Sequence, residues 1–359
     1  MKHNNTIKKA LSSSLVVLIS GSLSLLQGAA VWKWIGNAGD AQWSTPENWQ
    51  YEETAQAPKP YYPNAIEATA HAIAIFGDFG EEALEIVHKA GEESENIVRL
   101  SRLQVTDEAK ANLSIRFSSG SVLGKNTIEG DSVVQIASGG GLDQVRLFGA
   151  STLRMGDHST TALLQIDRGI TFVTTMSLQH SNAPGHRIIT KTGEGNWNYE
   201  GTQFGKKGTY RTSDGTRGAP FALSLSIDEG TFSFNPGTAN IIEYYGSADN
   251  AKPSFSVKSG STLIMDAGTN GDRVQFLEAT DGTPLTEGGQ LLVETGAGLE
   301  LNRLEGFEHG QWYTLFENIA SAPESDFTVT NLQKGEQAQF QTTEINGRNV
   351  YQVQIVPES

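Results

Sequence analysis

Seven stretches of this chain place a strand-forming hydrophobe, a glycine and a second apolar residue in nearly one register. They are "RFSSGSVL" (Phe117, Gly120, Leu123), "QIASGGGL" (Ile136, Gly139, Leu142), "QIDRGITF" (Ile166, Gly169, Phe172), "SIDEGTFSF" (Ile227, Gly230, Phe232), "SVKSGSTLIM" (Val257, Gly260, Leu263), "LVETGAGLEL" (Val293, Gly296, Leu299) and the looser "RLFGASTLRM" (Leu147, Gly149, Leu153). In six of the seven the hydrophobe stands three residues before the glycine. Each reads as a strand, a tight turn and a second strand, with glycine supplying the turn and alternation placing one face inward. Such a unit is too small to bury that face alone, but stacked on copies of itself it builds a continuous core. The glycines are 19 residues apart from Gly120 to Gly139, and 30 from Gly139 to Gly169 and from Gly230 to Gly260. An ordinary β-sandwich with glycine turns also yields closely spaced strands. Recurrence of one unit in one register favours a parallel β-solenoid.

Composition agrees with an all-β chain. Glycine, at 39 residues against 11 prolines, is the main punctuation. The best helical candidate, "EEALEIVHKAGEESENIVRL", is broken by Gly91 and also reads as two short strands. There is no cysteine, so disulfides, thiol catalysis and cysteine–zinc sites are excluded. Polar insertions interrupt the units. The longest are "SLQHSNAPGHRII" and "EGTQFGKKGTYRTSDGTRGAP", the second carrying Lys206, Lys207, Arg211 and Arg217, with Lys191 just upstream. They read as loops projecting from a corner. Beyond about residue 304 the pattern changes: "HGQWYTLFENI" and "FTVTNL" read as strands, and Asn346-Gly347 between two alternating runs marks a hairpin. An antiparallel cap over 305–359 is expected there, closing the last rung.

The first 30 residues read as a secretory signal peptide: Lys2, Lys8 and Lys9, then an apolar run, then Gly28 and Ala30 before a cut between Ala30 and Val31. The run is too short and too rich in Ser and Gly for a good spanning helix, so no membrane span is expected after cleavage. The formal net charge is −15, and loss of three lysines with no acid takes it to −18. That balance argues against nucleic acid or anionic lipid as a partner.

Directly after the expected cut comes "VWKWIGNAGDAQWSTPENWQ", with four of the six tryptophans: Trp32, Trp34, Trp43 and Trp49. The first rung of a solenoid has no outer neighbour, and a tryptophan cluster over 31–50 would close it. The rival reading is an aromatic platform, because exposed indole faces stack on sugars. The two differ in whether the rings lie in water. The solenoid itself is then expected over 51–304.

This segment is similar to the N-terminal signature of exported Gram-negative proteins built from autotransporter-associated β-strand repeats, many of which carry a PEP-type sorting tail. The matching residues are Trp32, Trp34, Gly36, Trp43, Ser44, Pro46, Asn48 and Trp49. "TKTGEGNWNYEG" (Lys191, Thr192, Gly193, Gly195, Gly201) resembles the repeat core, and "SIDEGTFSF" its closing strand. The chain's last residues read "VYQVQIVPES", of which "VPES" is similar to the opening of such a tail, without its apolar helix and basic end, and no run matches an autotransporter barrel. The resemblance implies export and a solenoid architecture; it implies no activity.

Catalytic signals are sparse. Polysaccharide lyases and glycosidases on solenoids need clustered carboxylates, yet Asp228, Glu229, Asp266, Asp272 and Asp281 are spread singly. "SGGGLDQVR" (Ser138, Gly139, Gly141, Asp143, Val145) approaches a calcium-binding nonapeptide, but occurs once, where that fold needs stacked copies. The histidines, among them His71, His88, His158, His180 and His186, lack metal spacing. The expected protein is therefore a non-enzymatic exported structural or adhesive module of the cell surface, extracellular space or periplasm. It needs no cofactor, and its partners are extracellular polysaccharide or other surface proteins. The alternative is a carbohydrate-binding or carbohydrate-cleaving β-helix.

Overall fold

The computed structural model describes residues 29–52, 71–88, 98–100, 102–117, 121–123, 132–149, 152–154, 161–179, 185–205, 221–234, 241–246, 252–279 and 281–358. Those residues form a succession of short strands that stack, coil on coil, into three ladders. The leading ladder stacks Ala29–Trp34, His71–Phe76, Arg102–Val105, Ser132–Ile136, Thr161–Ile166, Gly185–Thr192, Phe221–Ile227, Ser254–Val257 and Gln290–Val293, all parallel. The middle ladder is a 9-stranded parallel sheet from Leu84–His88 to Thr328–Val329. The trailing ladder runs from Val98–Leu100 to Tyr313–Glu317. The chain is a parallel β-solenoid, and the one helical element among the described residues is the 3-10 turn Pro46–Asn48.

Alternation decides which side chains meet. In the middle ladder, Leu113, Val145, Phe172, Trp197, Phe232, Leu263 and Leu299 stand in one column at successive registers, all buried. Each apolar residue thus packs on its counterpart one coil away, as the stacked-unit reading requires. The same column explains a buried hydroxyl: the Trp197 indole N–H donates to Thr174 Oγ1 at 2.8 Å.

The recurring glycine units occupy two different corners. Those at Gly139, Gly169, Gly230, Gly260 and Gly296 join leading to middle strands, whereas "RFSSGSVL" and "RLFGASTLRM" run from middle strands into trailing ones. The 19-residue interval therefore compares unlike corners, and the 30-residue intervals measure a whole coil. Nor does every glycine serve a positive φ. Gly139 and Gly141 lie against the backbone of the corner one coil earlier, where a Cβ would overlap the carbonyl oxygens of Ala109 and Lys110. Gly141→Ala should accordingly cost roughly 1–3 kcal/mol by forcing two stacked corners apart. A denaturant midpoint unchanged from that of the parent would contradict this packing.

The parallel pairing runs beyond residue 304. Tyr313–Glu317 is still parallel to Arg273–Glu278, and Thr328–Val329 to Gly298–Arg303. Antiparallel pairing begins with Arg348–Pro357 against Tyr313–Glu317, and Glu336–Ile345 completes the hairpin. Asn346 and Gly347 both have positive φ, 53° and 77°, as a two-residue turn of the expected type demands. At the other end, Ala29–Trp34 pairs in parallel with His71–Phe76 and antiparallel with Trp49–Tyr51. Ala29 and Ala30 face His71 and Ala72, so a cut between Ala30 and Val31 would trim two residues from this strand and leave Val31, Trp32 and Lys33 paired. The rest of the expected signal peptide lies outside the described residues.

Candidate functional site

All four N-terminal tryptophans are interior: Trp32 is 2% exposed, Trp34 3%, Trp43 0% and Trp49 5%. Trp34 and Trp43 each meet Trp49 edge-on, with centroids 5.0 and 4.9 Å away, and Phe76 lies beneath all three. The local chain is folded around Asn48, which is fully buried. Its Oδ1 accepts from the Ala38 N–H, its Nδ2 donates to Asp40 and to the Gln42 carbonyl, and its own carbonyl takes the Ile35 N–H. Trp43 N–H then donates to Val87 O and Val87 N–H to Ala41 O, laying this segment along the first middle strand. The indole faces needed for a sugar platform are therefore not in water.

The expected carboxylates fall at separate corners. Asp228 and Glu229 stand at the leading–middle corner, Asp266 and Asp272 at a middle–trailing corner, and Asp281 after a trailing strand. Each is engaged locally. Asp228 accepts from Ser226 Oγ at 2.5 Å, Glu229 from the Gly193 N–H at 2.7 Å and Asp281 from Thr283 N–H and Oγ1. Asp266 and Asp272 do meet. The Asp266 N–H donates to Asp272 Oδ2, the Asp272 N–H to the Asp266 carbonyl, and Asn302 Nδ2 to Asp266 Oδ1. Asp272 is 3% exposed, and burial pushes its carboxyl up to about 7. A buried acid beside a second carboxylate carries the pKa signature of general-acid chemistry, but both are spent on closing this turn.

Lys191, which reads from sequence as part of a basic surface loop, is the largest departure. It stands in the leading ladder's interior column between Leu164 and Ile227 and is fully buried. Its ammonium donates to the carbonyls of Gly193, Gly195 and Glu229 at 2.5, 2.6 and 2.8 Å. Burial lowers its pKa to about 8 while the nearby Glu229 carboxylate raises it. Gly230, with φ 68°, lets all this converge: a Cβ there would lie 2.5 Å from Gly193 O, Gly195 O and Lys191 Nζ. The Lys-Thr-Gly-x-Gly motif is thus a pinned corner. Lys191→Met would keep the volume and strip a donor from the Gly193 and Glu229 carbonyls, costing roughly 2–3 kcal/mol in a denaturant melt. A neutral outcome would mean that water replaces the ammonium. The other basic residues of that insertion, Lys206, Lys207, Arg211 and Arg217, lie outside the described residues.

Among the described residues no group of three or more His, Asp or Glu is placed to hold a metal ion. The glycine-rich "SGGGLDQVR" corner packs on backbone, and the Asp143 N–H donates to Asn112 Oδ1. His71 opens a leading strand, His88 lies in the core beside Phe117, and His186 shares a hydrogen bond with Ser224 at 2.5 Å. His158 and His180 lie outside the described residues.

Two features escaped the sequence reading. On the outer side of the middle ladder, the guanidinium groups of Arg116 and Arg146 sit 5.2 and 5.1 Å from the Phe148 ring, and Arg146 pairs with Glu200 at 3.1 Å. At the C-terminal end, Glu336 accepts both terminal nitrogens of Arg303 at 2.7 and 2.5 Å, the Gln333 N–H, and a hydrogen bond with His309. Arg303 holds the Glu336 carboxyl well below the usual carboxylate range. Neither cluster is visible in sequence, because each is closed by a residue one or two coils away: Arg116 joins Phe148, Glu200 joins Arg146, and Glu336 joins Arg303 and His309. Comparison of the chain with protein-family models, with characterised protein sequences and with solved structures found no match.

Proposed function

We propose that this chain is an exported, non-enzymatic β-solenoid that serves as a structural or adhesive module at the cell surface or in the extracellular matrix. The observation that carries this reading is where the chemistry-bearing groups are spent. The tryptophans, Lys191, Asp266 and Asp272 all hold the coil stack or its corners together. Fold alone does not assign function, and the resemblance of the N-terminal signature to exported repeat proteins supplies the expectation of export.

A second reading, binding of acidic glycans, is favoured by one feature: Phe148 flanked by Arg116 and Arg146 on an outer face. An aromatic edge between guanidinium groups suits a carboxylated or sulfated sugar. Screening the purified protein on a glycan array, followed by a reducing-end assay on any bound polysaccharide, tests both readings. Retention without turnover, lost in Arg146→Ala, would place adhesion on this face. Turnover abolished by changing a corner carboxylate would overturn the non-enzymatic reading. Cell fractionation with external protease tests export separately.

A further inference from the structure

We infer that Glu336–Ile345, the last strand of the trailing sheet, is a docking edge for a second copy of this chain, joined antiparallel about Phe340. Among the described residues this 10-residue strand pairs only with Arg348–Pro357, so its outer edge has no strand partner. The Asn346-Gly347 turn makes Ile345 and Arg348 the closing hydrogen-bonded pair, and the alternation of an antiparallel ladder fixes the rest. Main-chain groups of Gln337, Gln339, Gln341 and Thr343 are used within the hairpin. Those of Ala338, Phe340, Thr342 and Glu344 point outward.

Exposed edges are normally blunted by lysine, proline, a bulge or shortness. The opposite end of the molecule follows that rule with the three-residue strand Trp49–Tyr51. Residues 337–343, "QAQFQTT", contain no charge, proline or glycine. In a chain of net charge −15, such a neutral strip is a place where two like-charged copies approach without local repulsion. At its border the register sets Glu336 opposite Glu344 of the second copy, and Glu336 is already matched by Arg303 and His309.

The side chains point to a copy of the same strand rather than a different partner. Gln339 Oε1 accepts from Gln354 Nε2, and Gln341 Nε2 donates to Gln352 Oε1, each at 2.9 Å. Those bonds leave the Gln339 amide N–H groups and the Gln341 amide oxygen to meet a neighbouring strand. A two-fold axis through Phe340 sets Gln339 opposite Gln341 of the second copy, donor to acceptor, twice. It also sets Ala338 opposite Thr342, and the outward main-chain groups of these even-numbered residues meet in register. Two Phe340 rings, each stacked on its own Tyr351 at 5.7 Å, then face each other. Because the contact is isologous and consumes both edges, it stops at two copies.

Sedimentation of the purified protein over a concentration series should show a monomer–dimer equilibrium. Gln339→Lys with Gln341→Lys places like charges at both crossing points, and should weaken self-association at least ~10-fold while leaving the melting curve in place at concentrations where the parent is monomeric. Gln339→Lys with Gln341→Glu restores opposite charges across the axis and should recover the dimer. A protein that stays monomeric up to its solubility limit, one that grows beyond two copies, or a dimer indifferent to both pairs of changes would overturn the inference. Should the lysine pair disturb the hairpin, the absence of native cysteine offers a second measurement. Mixed Gln339→Cys and Gln341→Cys proteins should form a disulfide-linked dimer that neither forms alone. Equal linkage in all three samples, or none in any, would count against the proposed register.

Discussion

Trp43→Ala should cost about 3–5 kcal/mol, the usual range for emptying a fully buried aromatic site. Trp43 is 0% exposed and touches Trp49, Phe76 and Phe117, so three elements lose a shared contact. The carbonyl that accepts the Trp49 indole N–H at 2.7 Å belongs to the main chain and survives the change, leaving the loss one of packing. Stability in a stacked architecture is close to a sum over neighbouring units. Hydrogen exchange should therefore rise first in Ala29–Trp34 and His71–Phe76, while Tyr313–Glu317 keeps its protection. An unchanged melt with intact exchange in those first strands would return the cluster to the sugar-platform reading.

Asp272→Asn should stabilise the protein in a pH-dependent way. The folded-state carboxyl titrates at about 7 against an ordinary 3.8, because burial disfavours its charge. Between those values the folded chain holds a proton that the unfolded chain has released, so stability falls as pH rises through that window. Above it, the native state carries a buried anion whose cost is on the order of 4 kcal/mol as an upper figure. Asparagine keeps an acceptor for the Asp266 N–H and has no charge to bury. The variant should match the parent near pH 4 and exceed it by up to about 4 kcal/mol at pH 8. Parallel stability–pH profiles for the two proteins would show that Asp272 ionises without penalty.

The solenoid was legible because its interior repeats in type as well as position: columns such as Phe172, Trp197, Phe232 and Leu263 are apolar in every coil. The hairpin was legible from Asn346-Gly347 alone. Other features depend on contacts a whole coil apart. "VRLSRLQV" looks like one strand, yet Val98–Leu100 and Arg102–Val105 belong to different ladders, and no glycine stands between them to mark the change. Lys191 looks solvated because its neighbours in sequence are polar, whereas its neighbours in space are Leu164 and Ile227. The Arg303–Glu336–His309 cluster has no local signature at all.

The direction of the ladders has a mechanical consequence. In each of the three ladders, inter-strand hydrogen bonds run along the stacking axis rather than across it. Tension applied along that axis would peel the terminal strand bond by bond, instead of loading a whole row in shear as when strands are pulled along their length. The molecule is thus built to yield from its ends, one coil at a time. The tryptophan cluster and the Glu336-anchored hairpin sit where such unwinding would begin.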